Sequence, residues 1–365
     1  MSGGVDSSIT AALLQQQGYQ VIGMMMRLWT EEGREAHNRC CTPASMALAR
    51  RVAAQLDIPF YAVDAQDTFK ETVVSYFLDG YAQATTPNPC LACNRHIRWE
   101  FLLNRALALG ADFMATGHYA RVERAEDNPI RLLKAIDESK DQSYVLSVLT
   151  QAQLQHALFP LGDYTKDEVR DLARKFELPV AERQDSQDLC FLADTDINSF
   201  LQRNLPEVEQ PGPILSVDGE HLGQHQGLAF FTIGQRKGLG ISAPHPLYVI
   251  AKEPDKNTLI IGPHEALGSQ ELWATDFNWV SDQAPSADLR AEVKIRYKSK
   301  AARATISTQD NGDVHMLFDE PLRDITPGQA AVVYDGDEVL GGGVIRPAVS
   351  DQAIPIPLGE VRLHA

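Results

Sequence analysis

Helix-like and strand-like apolar patterns alternate through the first half of the chain. Ile9, Ala12 and Leu13 share one face of a helix, and the apolar run 19–29 is typical of a buried parallel strand. Similar patterns predict helices at 43–56, 69–81 and 97–108, and strands at 60–63 and 112–116. This alternation predicts a doubly wound α/β domain with a parallel sheet, in which ligands bind at the carboxyl ends of the strands.

The second half of the chain has a different character. Beyond about Leu201, prolines and turn pairs such as Asp218-Gly219 and Asn311-Gly312 separate short alternating segments. These segments predict a β-rich region, whose last part, about 289–345, forms a small barrel or sandwich. We expect three domains: an α/β catalytic domain at 1–203, a central β-rich domain at 204–281, and a C-terminal barrel with its tail at 282–365.

Composition limits the classes of function. The chain has 365 residues, five cysteines and a formal net charge of −16. No window is typical of a membrane span, and no leader is evident. Five cysteines are too few for a secreted disulfide framework. We therefore expect a cytoplasmic protein without membrane partners. The acidic balance argues against nucleic-acid binding by bulk charge, although a local basic face could bind RNA.

The first candidate site is the string Ser-Gly-Gly-Val-Asp-Ser-Ser at 2–8, just ahead of the first helix. Glycines before a helix N-terminus form an anion site, because backbone N–H groups and the helix dipole favour negative charge. Ser7 and Ser8 could cap the helix or bind phosphate oxygens, and a serine-capped helix is the simpler alternative. The full string resembles the PP-loop of ATP pyrophosphatases. Such a loop normally follows a buried strand, so we expect a longer natural form that supplies it.

Cysteines supply the second candidate. Cys90 and Cys93 form a Cys-x-x-Cys pair after Thr-Pro-Asn-Pro, and we expect the prolines to prevent a helical start there and leave the thiols near the N-terminus of the next helix. The pair alone could be a redox pair, half of a zinc site or part of a cluster site. Cys190, between apolar residues, could be an inert core thiol. We assign no role to Cys40 and Cys41.

Several polar stretches have two interpretations each. The stretch 140–143, Lys-Asp-Gln-Ser, could be a helix cap or a ligand site, and His118 at a strand end favours the ligand crevice over the core. Two basic clusters, 95–105 and 294–300, could be solvated faces or could contact phosphates and stack on bases.

Together these strings resemble one family, the tRNA-specific 2-thiouridylases. The resemblance runs from Met1 to about Ile345 and depends on the order and spacing of its motifs. These are Ser-Gly-Gly-Val-Asp-Ser-Ser, Thr-Pro-Asn-Pro-Cys-x-x-Cys-Asn, Ala-Thr-Gly-His-Tyr-Ala, Lys-Asp-Gln-Ser-Tyr, the cysteine before Phe191, the Phe-Thr-Ile-Gly-Gln-Arg-Lys-Gly-Leu-Gly string at 231–240, Lys-Ile-Arg-Tyr and Leu-Gly-Gly-Gly-Val-Ile.

The resemblance implies a role for each matching residue. Cys93 is implied as the nucleophile and Cys190 as the persulfide carrier. The implied ATP-binding residues are Met1, Ser2, Gly3, Gly4, Val5, Asp6, Ser7, Met26 and Gly117. The residues implied to surround the target base are Asn88, Pro89 and Cys90, and those implied to contact tRNA are His118, Lys140, Asp141, Gln142, Arg296, Tyr297 and Gln329.

The implied reaction replaces the C2 oxygen of the wobble uridine by sulfur. ATP and Mg²⁺ adenylate the oxygen, and sulfur then comes from a Cys190 persulfide, with a Cys93–Cys190 disulfide as one way to release it. The partners are tRNA and a persulfide donor, either a cysteine desulfurase or a relay protein. Some members carry an acid where Cys90 stands, so Cys90, Cys93 and Cys190 could instead hold an iron–sulfur cluster.

Two other functions fit parts of the sequence. Another PP-loop ligase acting on a small acid or amide would need neither Cys93 nor Cys190. A tRNA-binding protein without ATP binding would follow if the chain acts without an upstream strand.

Overall fold

The computed structural model describes residues 1–34, 42–183, 189–192 and 195–347. Its helices are α1 Val5–Gln16, α2 Pro43–Gln55, α3 Gln66–Phe69, α4 Ser75–Ala82, α5 Pro89–Ala92, α6 Leu103–Ala108, α7 Ser143–Leu146, α8 Gln151–Leu154, α9 Lys166–Lys175 and α10 Ile197–Asn204. Two π-helical segments, Lys70–Val74 and Cys93–Leu102, join α3 to α4 and α5 to α6. Short 3₁₀ turns occur in the central region.

The described strands fall into four sheets. They are β1 Gly23–Arg27, β2 Phe60–Asp64, β3 Met114–Ala115, β4 Ala120–Glu123, β5 Arg131–Lys134, β6 Ala157–Leu158, β7 Gly212–Ser216, β8 His221–His225, β9 Tyr248–Glu253, β10 Thr258–Gly262, β11 Ser269–Trp279, β12 Leu289–Lys294, β13 Ala302–Thr308, β14 Val314–Leu322, β15 Ala330–Asp335 and β16 Glu338–Ile345. The α/β domain, the β-rich middle and the barrel predicted from the sequence are confirmed.

The α/β domain contains parallel strand pairs flanked by helices. β1 pairs with β2, with Gly23 opposite Phe60, and β3 pairs with β6 in a second two-stranded sheet. The α1 helix begins where Gly4 ends the loop, and its buried face packs on α2, α9 and the segment around Leu161. This packing fixes the start of α1 at one end of the domain.

A closed barrel forms the C-terminal region. Six strands follow the order β11-β14-β13-β12-β15-β16, and β11 also pairs with β16, which closes the ring. Alternate side chains such as Val293, Ile306 and Met316 fill the interior. β11 lies before the predicted 281/282 boundary, and it pairs within this barrel. The central domain has the strand order β8-β7-β10-β9, with β7 and β10 parallel.

A hairpin of the α/β domain extends the barrel. β4 and β5 are antiparallel, and β5 pairs with β16 through Leu132 opposite Val339 and Leu133 opposite Glu338. The same interface buries Leu132, Tyr144, Val332 and Val339 in one apolar cluster. The two domains therefore share hydrogen-bonded strands as well as a core.

Candidate functional site

The glycine loop enters α1 in a conformation that requires glycine. Gly3 has a φ of +73°, and a Cβ there would lie 2.6 Å from the Ser45 carbonyl oxygen. Gly4 is the N-cap residue and supplies no side-chain cap to the first turn of α1. The start of this helix therefore keeps the features of an anion site.

The hydroxyls of the loop bond within the loop itself. Ser7 and Ser8 both donate to the Gly4 carbonyl oxygen, over 3.2 and 2.8 Å, and the Ser2 backbone N–H donates to Ser7 Oγ over 3.1 Å. The expectation that Ser7 or Ser8 caps the helix is wrong, because both lie inside α1 and Gly4 occupies the cap position. Of the two, Ser7 lies on the loop side, bonded to Ser2.

Gly117 lies against the loop. A Cβ on Gly117 would approach the Asp6 carbonyl carbon to 2.9 Å and the Ser7 nitrogen to 3.0 Å, so only glycine allows this contact without a shift. Met26, near the carboxyl end of β1, is partly buried against the apolar cluster around Phe77. The structure thus brings the strand end at Gly117 to the PP-loop, as parallel-sheet topology predicts.

Two basic residues absent from the sequence predictions hold this loop. Lys166, 8% exposed, binds Asp6 Oδ1 and Oδ2 over 2.7 and 2.9 Å, and the Tyr119 hydroxyl donates to the same carboxylate over 2.9 Å. Arg183 donates to the Gly3 carbonyl oxygen over 2.7 Å and to Ser45 Oγ over 2.9 Å. The loop is therefore fixed by side chains that lie more than 150 residues away in the sequence.

A signal for Lys166 was present in the sequence. Thr165 and Glu168 form a capping box, so Lys166 occupies the first position of α9. A cation in the first turn of a helix opposes the helix dipole, and a lysine there points to an anionic partner. Arg183 has no comparable signal.

The Cys-x-x-Cys pair lies in the first turns of a helix. Asn88 is the N-cap residue and accepts the Cys90 N–H over 3.1 Å, and Pro89 occupies the first helical position, which proline tolerates. The expectation that the prolines prevent a helical start is therefore wrong. Cys90 is exposed and Cys93 is partly buried.

Cys93 and Cys190 reach the same apolar cluster. Both pack, partly buried, against the cluster that contains Ile97, Phe191 and Phe200. Among the described residues, no group of three His, Cys, Asp or Glu side chains is placed to hold a metal ion. Cys90, Cys93 and Cys190 are thus not grouped to hold a single metal ion between them, and the iron–sulfur cluster stays a prediction. Cys40 and Cys41 lie outside the described residues.

His118 follows Gly117 at the strand end next to the loop. His118 is buried, and its Nδ1 lies 2.8 Å from Thr116 Oγ1. Burial, and secondly the charge of Arg98, lower the pKa of His118 well below its usual value, which keeps the ring neutral. Arg98 also lowers the pKa of the Met1 amino group, after burial. The charge of Arg98, from the cysteine helix, therefore acts on both groups.

Asp141 and Gln142 of the Lys-Asp-Gln stretch make hydrogen bonds inside the fold. Asp141, 6% exposed, accepts the N–H groups of Ala135 and Ser143 and the Ser143 hydroxyl. The N-cap residue of α7 is Gln142, without a side-chain cap bond, so the interpretation of Asp141 or Ser143 as the capping residue is wrong. Gln142 Oε1 accepts the Tyr119 N–H over 3.1 Å. Lys140 lies partly exposed in the same turn.

Of the two predicted tRNA contacts at 296 and 297, Arg296 makes internal hydrogen bonds and Tyr297 is exposed. The Arg296 guanidinium donates to the carbonyl oxygens of Ile233 and Asp324 and to Thr326 Oγ1, so it joins the central domain to the barrel. Tyr297 is 38% exposed, and burial, followed by nearby acidic groups and Cys90, raises its pKa. The structure brings Tyr297 towards the cysteine helix and commits Arg296 to internal contacts.

A barrel turn docks on the loop before the cysteines. Gln329 Nε2 donates to the Thr86 carbonyl oxygen over 2.7 Å, and the Thr86 N–H donates to the Pro327 carbonyl oxygen over 2.8 Å. Gly328 has a φ of +91°, and a Cβ there would lie 2.8 Å from the Thr86 carbonyl carbon. Gln329 thus positions the segment that leads to Asn88 and Pro89.

Comparisons with known proteins agree along most of the chain. Family models match at 1–194 (tRNA methyl transferase HUP domain), 198–263 (tRNA methyl transferase PRC-barrel domain) and 269–345 (Aminomethyltransferase beta-barrel domain). The tRNA-specific 2-thiouridylase MnmA 2 of Caldanaerobacter subterraneus subsp. tengcongensis is 46% identical over 353 residues, covering 96% of this chain and 97% of the relative.

Two further relatives show the same extent of similarity. The tRNA-specific 2-thiouridylase MnmA of Chloroflexus aggregans is 46% identical over 351 residues, covering 96% of this chain and 98% of the relative. The protein of the same name from Clostridium perfringens is 43% identical over 347 residues, covering 94% and 96%. None of the helices in the described ranges is long and apolar enough to cross a membrane.

Proposed function

The chain belongs to the tRNA-specific 2-thiouridylase family, and from this premise we propose that it is an ATP-dependent tRNA-uridine 2-sulfurtransferase acting on the wobble uridine. The observation that carries the proposal is the meeting of the PP-loop with the Gly117 strand end, together with the placement of Cys93 and Cys190 against one apolar cluster. We place the enzyme in the cytoplasm.

The first stage is adenylation of the base. MgATP enters as a substrate, with its phosphates at the N-terminus of α1 and its adenosine near Met26 and Gly117. The uridine O2 attacks the α-phosphorus, and the bond to pyrophosphate breaks. The loop N–H groups and the helix dipole stabilise the charge that develops on the phosphates.

The second stage transfers sulfur. The terminal sulfur of a Cys190 persulfide attacks C2, and AMP leaves with the former O2 oxygen. The Cys93 thiolate then attacks Cys190 Sγ, which forms a Cys93–Cys190 disulfide and releases the 2-thio product. An external thiol reductant restores both cysteines, and a cysteine desulfurase or relay protein supplies the next persulfide.

The remaining residues present the tRNA. We propose that Asn88, Pro89 and Cys90 surround the flipped base, and that Lys140, Tyr297 and the basic segment 294–300 contact the RNA backbone or its bases. His118, Asp141, Gln142, Arg296 and Gln329 make internal contacts that shape this surface, and we assign them to positioning.

The test separates the two stages. The chain is incubated with unmodified tRNA, MgATP and a cysteine-desulfurase sulfur source, and 2-thiouridine is quantified by nucleoside mass spectrometry alongside pyrophosphate release. We expect Cys93→Ser and Cys190→Ser to lose 2-thiouridine and to retain tRNA-dependent pyrophosphate release in a single turnover. Each variant thereby serves as its own control for folding and tRNA binding.

Two results would contradict the proposal. Thiolation that survives both substitutions would remove the thiol roles. Pyrophosphate release that depends on a small acid or amide, with no dependence on tRNA, would favour a different PP-loop ligase.

A further inference from the structure

The Asp6 carboxylate lies at an unfavourable place for a site that binds polyanions. Asp6 occupies the second position of α1, inside the loop to which we assign the ATP phosphates. A carboxylate interacts well with a helix N-terminus, but it repels phosphate groups brought to the same turn. The proposed function therefore requires something that offsets this negative charge.

Lys166 provides that positive charge at the closest range. Its Nζ contacts both carboxylate oxygens, and its side chain is only 10% exposed, against 33% for the side chain of Asp6. The Nζ also lies 5.7 Å from the Tyr119 ring, whose hydroxyl donates to the same carboxylate. The ammonium group of the pair is thus largely shielded from water, while the carboxylate is partly open to it.

The position of Lys166 also carries a cost for α9. Lysine in the first turn of a helix opposes the helix dipole, whereas Asp167 and Glu168 in the same turn favour it. Burial of the ammonium group adds a further penalty, which its carboxylate partner offsets. An exposed lysine elsewhere on α9 would avoid both costs, so the placement points to Asp6.

We propose that Lys166 is a positioning residue that neutralises Asp6, and that this neutralisation permits MgATP to bind the PP-loop. The inference rests on the proposed function, since it concerns the same phosphate site. On this proposal, nucleotide affinity depends on the net charge of the Asp6–Lys166 pair and not on whether the ion pair is intact.

The experiment compares four proteins that have three different net charges at this pair. Wild type and the Asp6→Asn/Lys166→Met double variant have a net pair charge of zero, Lys166→Met has −1, and Asp6→Asn has +1. MgATP affinity is measured by isothermal titration calorimetry at low salt and at 0.5 M salt, together with melting temperature and tRNA affinity. Lys175→Met, which removes an exposed lysine from the other end of α9, is the matched control.

We expect MgATP to bind more weakly as the net charge of the Asp6–Lys166 pair becomes more negative. Lys166→Met should bind MgATP about ten- to hundredfold more weakly at low salt, as an uncompensated charge near the phosphates implies. The double variant should return to within about threefold of wild type, and Asp6→Asn should bind at least as tightly as wild type. Lys166→Arg should retain binding, and Lys175→Met should match wild type.

Different outcomes overturn different statements. If Asp6→Asn binds as weakly as Lys166→Met and the double variant is no better, the intact pair or a carboxylate–metal contact matters and the inference is wrong. If Lys166→Met does not fold, the ranking of wild type, Asp6→Asn and the double variant still decides. If wild type itself binds tRNA but no MgATP, this result contradicts the proposed function and not only the role of Lys166.

Discussion

Replacing Gly3 by alanine separates the shape of the loop from the stability of the fold. A left-handed residue other than glycine costs about 1–2 kcal/mol, and Gly3 has a φ of +73°. The added Cβ would also lie 2.6 Å from the Ser45 carbonyl oxygen, whereas ordinary contacts begin at 3.4 Å, so the loop must move by about 0.8 Å, the difference between the two.

The matched control is Gly18→Ala. Gly18 follows the end of α1 with a φ of +89°, and a Cβ there would meet nothing within 4 Å. Both variants therefore incur the backbone cost, and only Gly3→Ala displaces the loop. A displacement of about 1 Å at a binding site can reduce activity by about a hundredfold.

The assay is MgATP binding by calorimetry, with urea unfolding of each variant. We expect Gly18→Ala to lose about 1–2 kcal/mol of unfolding free energy, Gly3→Ala to lose at least as much because of its clash, and Gly3→Ala alone to weaken MgATP binding by about ten- to hundredfold. Wild-type affinity in Gly3→Ala, or an equal loss in Gly18→Ala, would refute the assignment of the phosphates to this loop.

Three further predictions concern the surroundings of the site. Gly328→Ala should collide with Thr86 and raise the KM for tRNA in the thiolation assay, with MgATP affinity unchanged; an unchanged KM would disprove the docking role. The pKa of His118 is lowered in the fold, so below about pH 6.5 the unfolded state binds a proton that the folded state does not. The free energy of unfolding should therefore decrease as the pH is lowered below about 6.5, by up to about 1.4 kcal/mol per pH unit. His118→Asn should reduce this pH dependence in urea titrations. Tyr144→Phe loses the 2.9 Å bond from the buried hydroxyl to the Ala330 carbonyl oxygen and should cost about 1–2 kcal/mol by the same measurement, whereas no loss would show that the bond contributes little.

Local patterns predicted the elements that depend on local chemistry. The glycines at 3 and 4, the apolar run that contains β1 and the helical face that includes Tyr81 all follow from short-range sequence rules. The turn pairs after Leu201 likewise indicated a β-rich second half. The predicted grouping of Gly117 with the loop followed from parallel-sheet topology.

Long-range partners were not predictable in this way. Nothing near Arg183 in the sequence indicates that it holds Gly3, and the pairing of β5 with β16 joins residues about 200 positions apart. The π-helical segment after Cys93 adds a residue per turn without a local sequence signal. The Asp141 carboxylate, whose implied contact with tRNA stays a prediction, accepts N–H and hydroxyl groups from nearby residues.

The β5–β16 pairing fixes the position of the barrel relative to the catalytic domain. Strand residues advance by about 3.3 Å, and a slip of one residue would turn every side chain of a strand to the opposite face. The fixed register of Leu132 with Val339 therefore sets the spacing between the barrel and the cysteine helix in whole-residue steps. On the proposed function, an RNA held by the barrel would present its target base at one fixed distance, and substrates with a different spacing would be rejected by length alone.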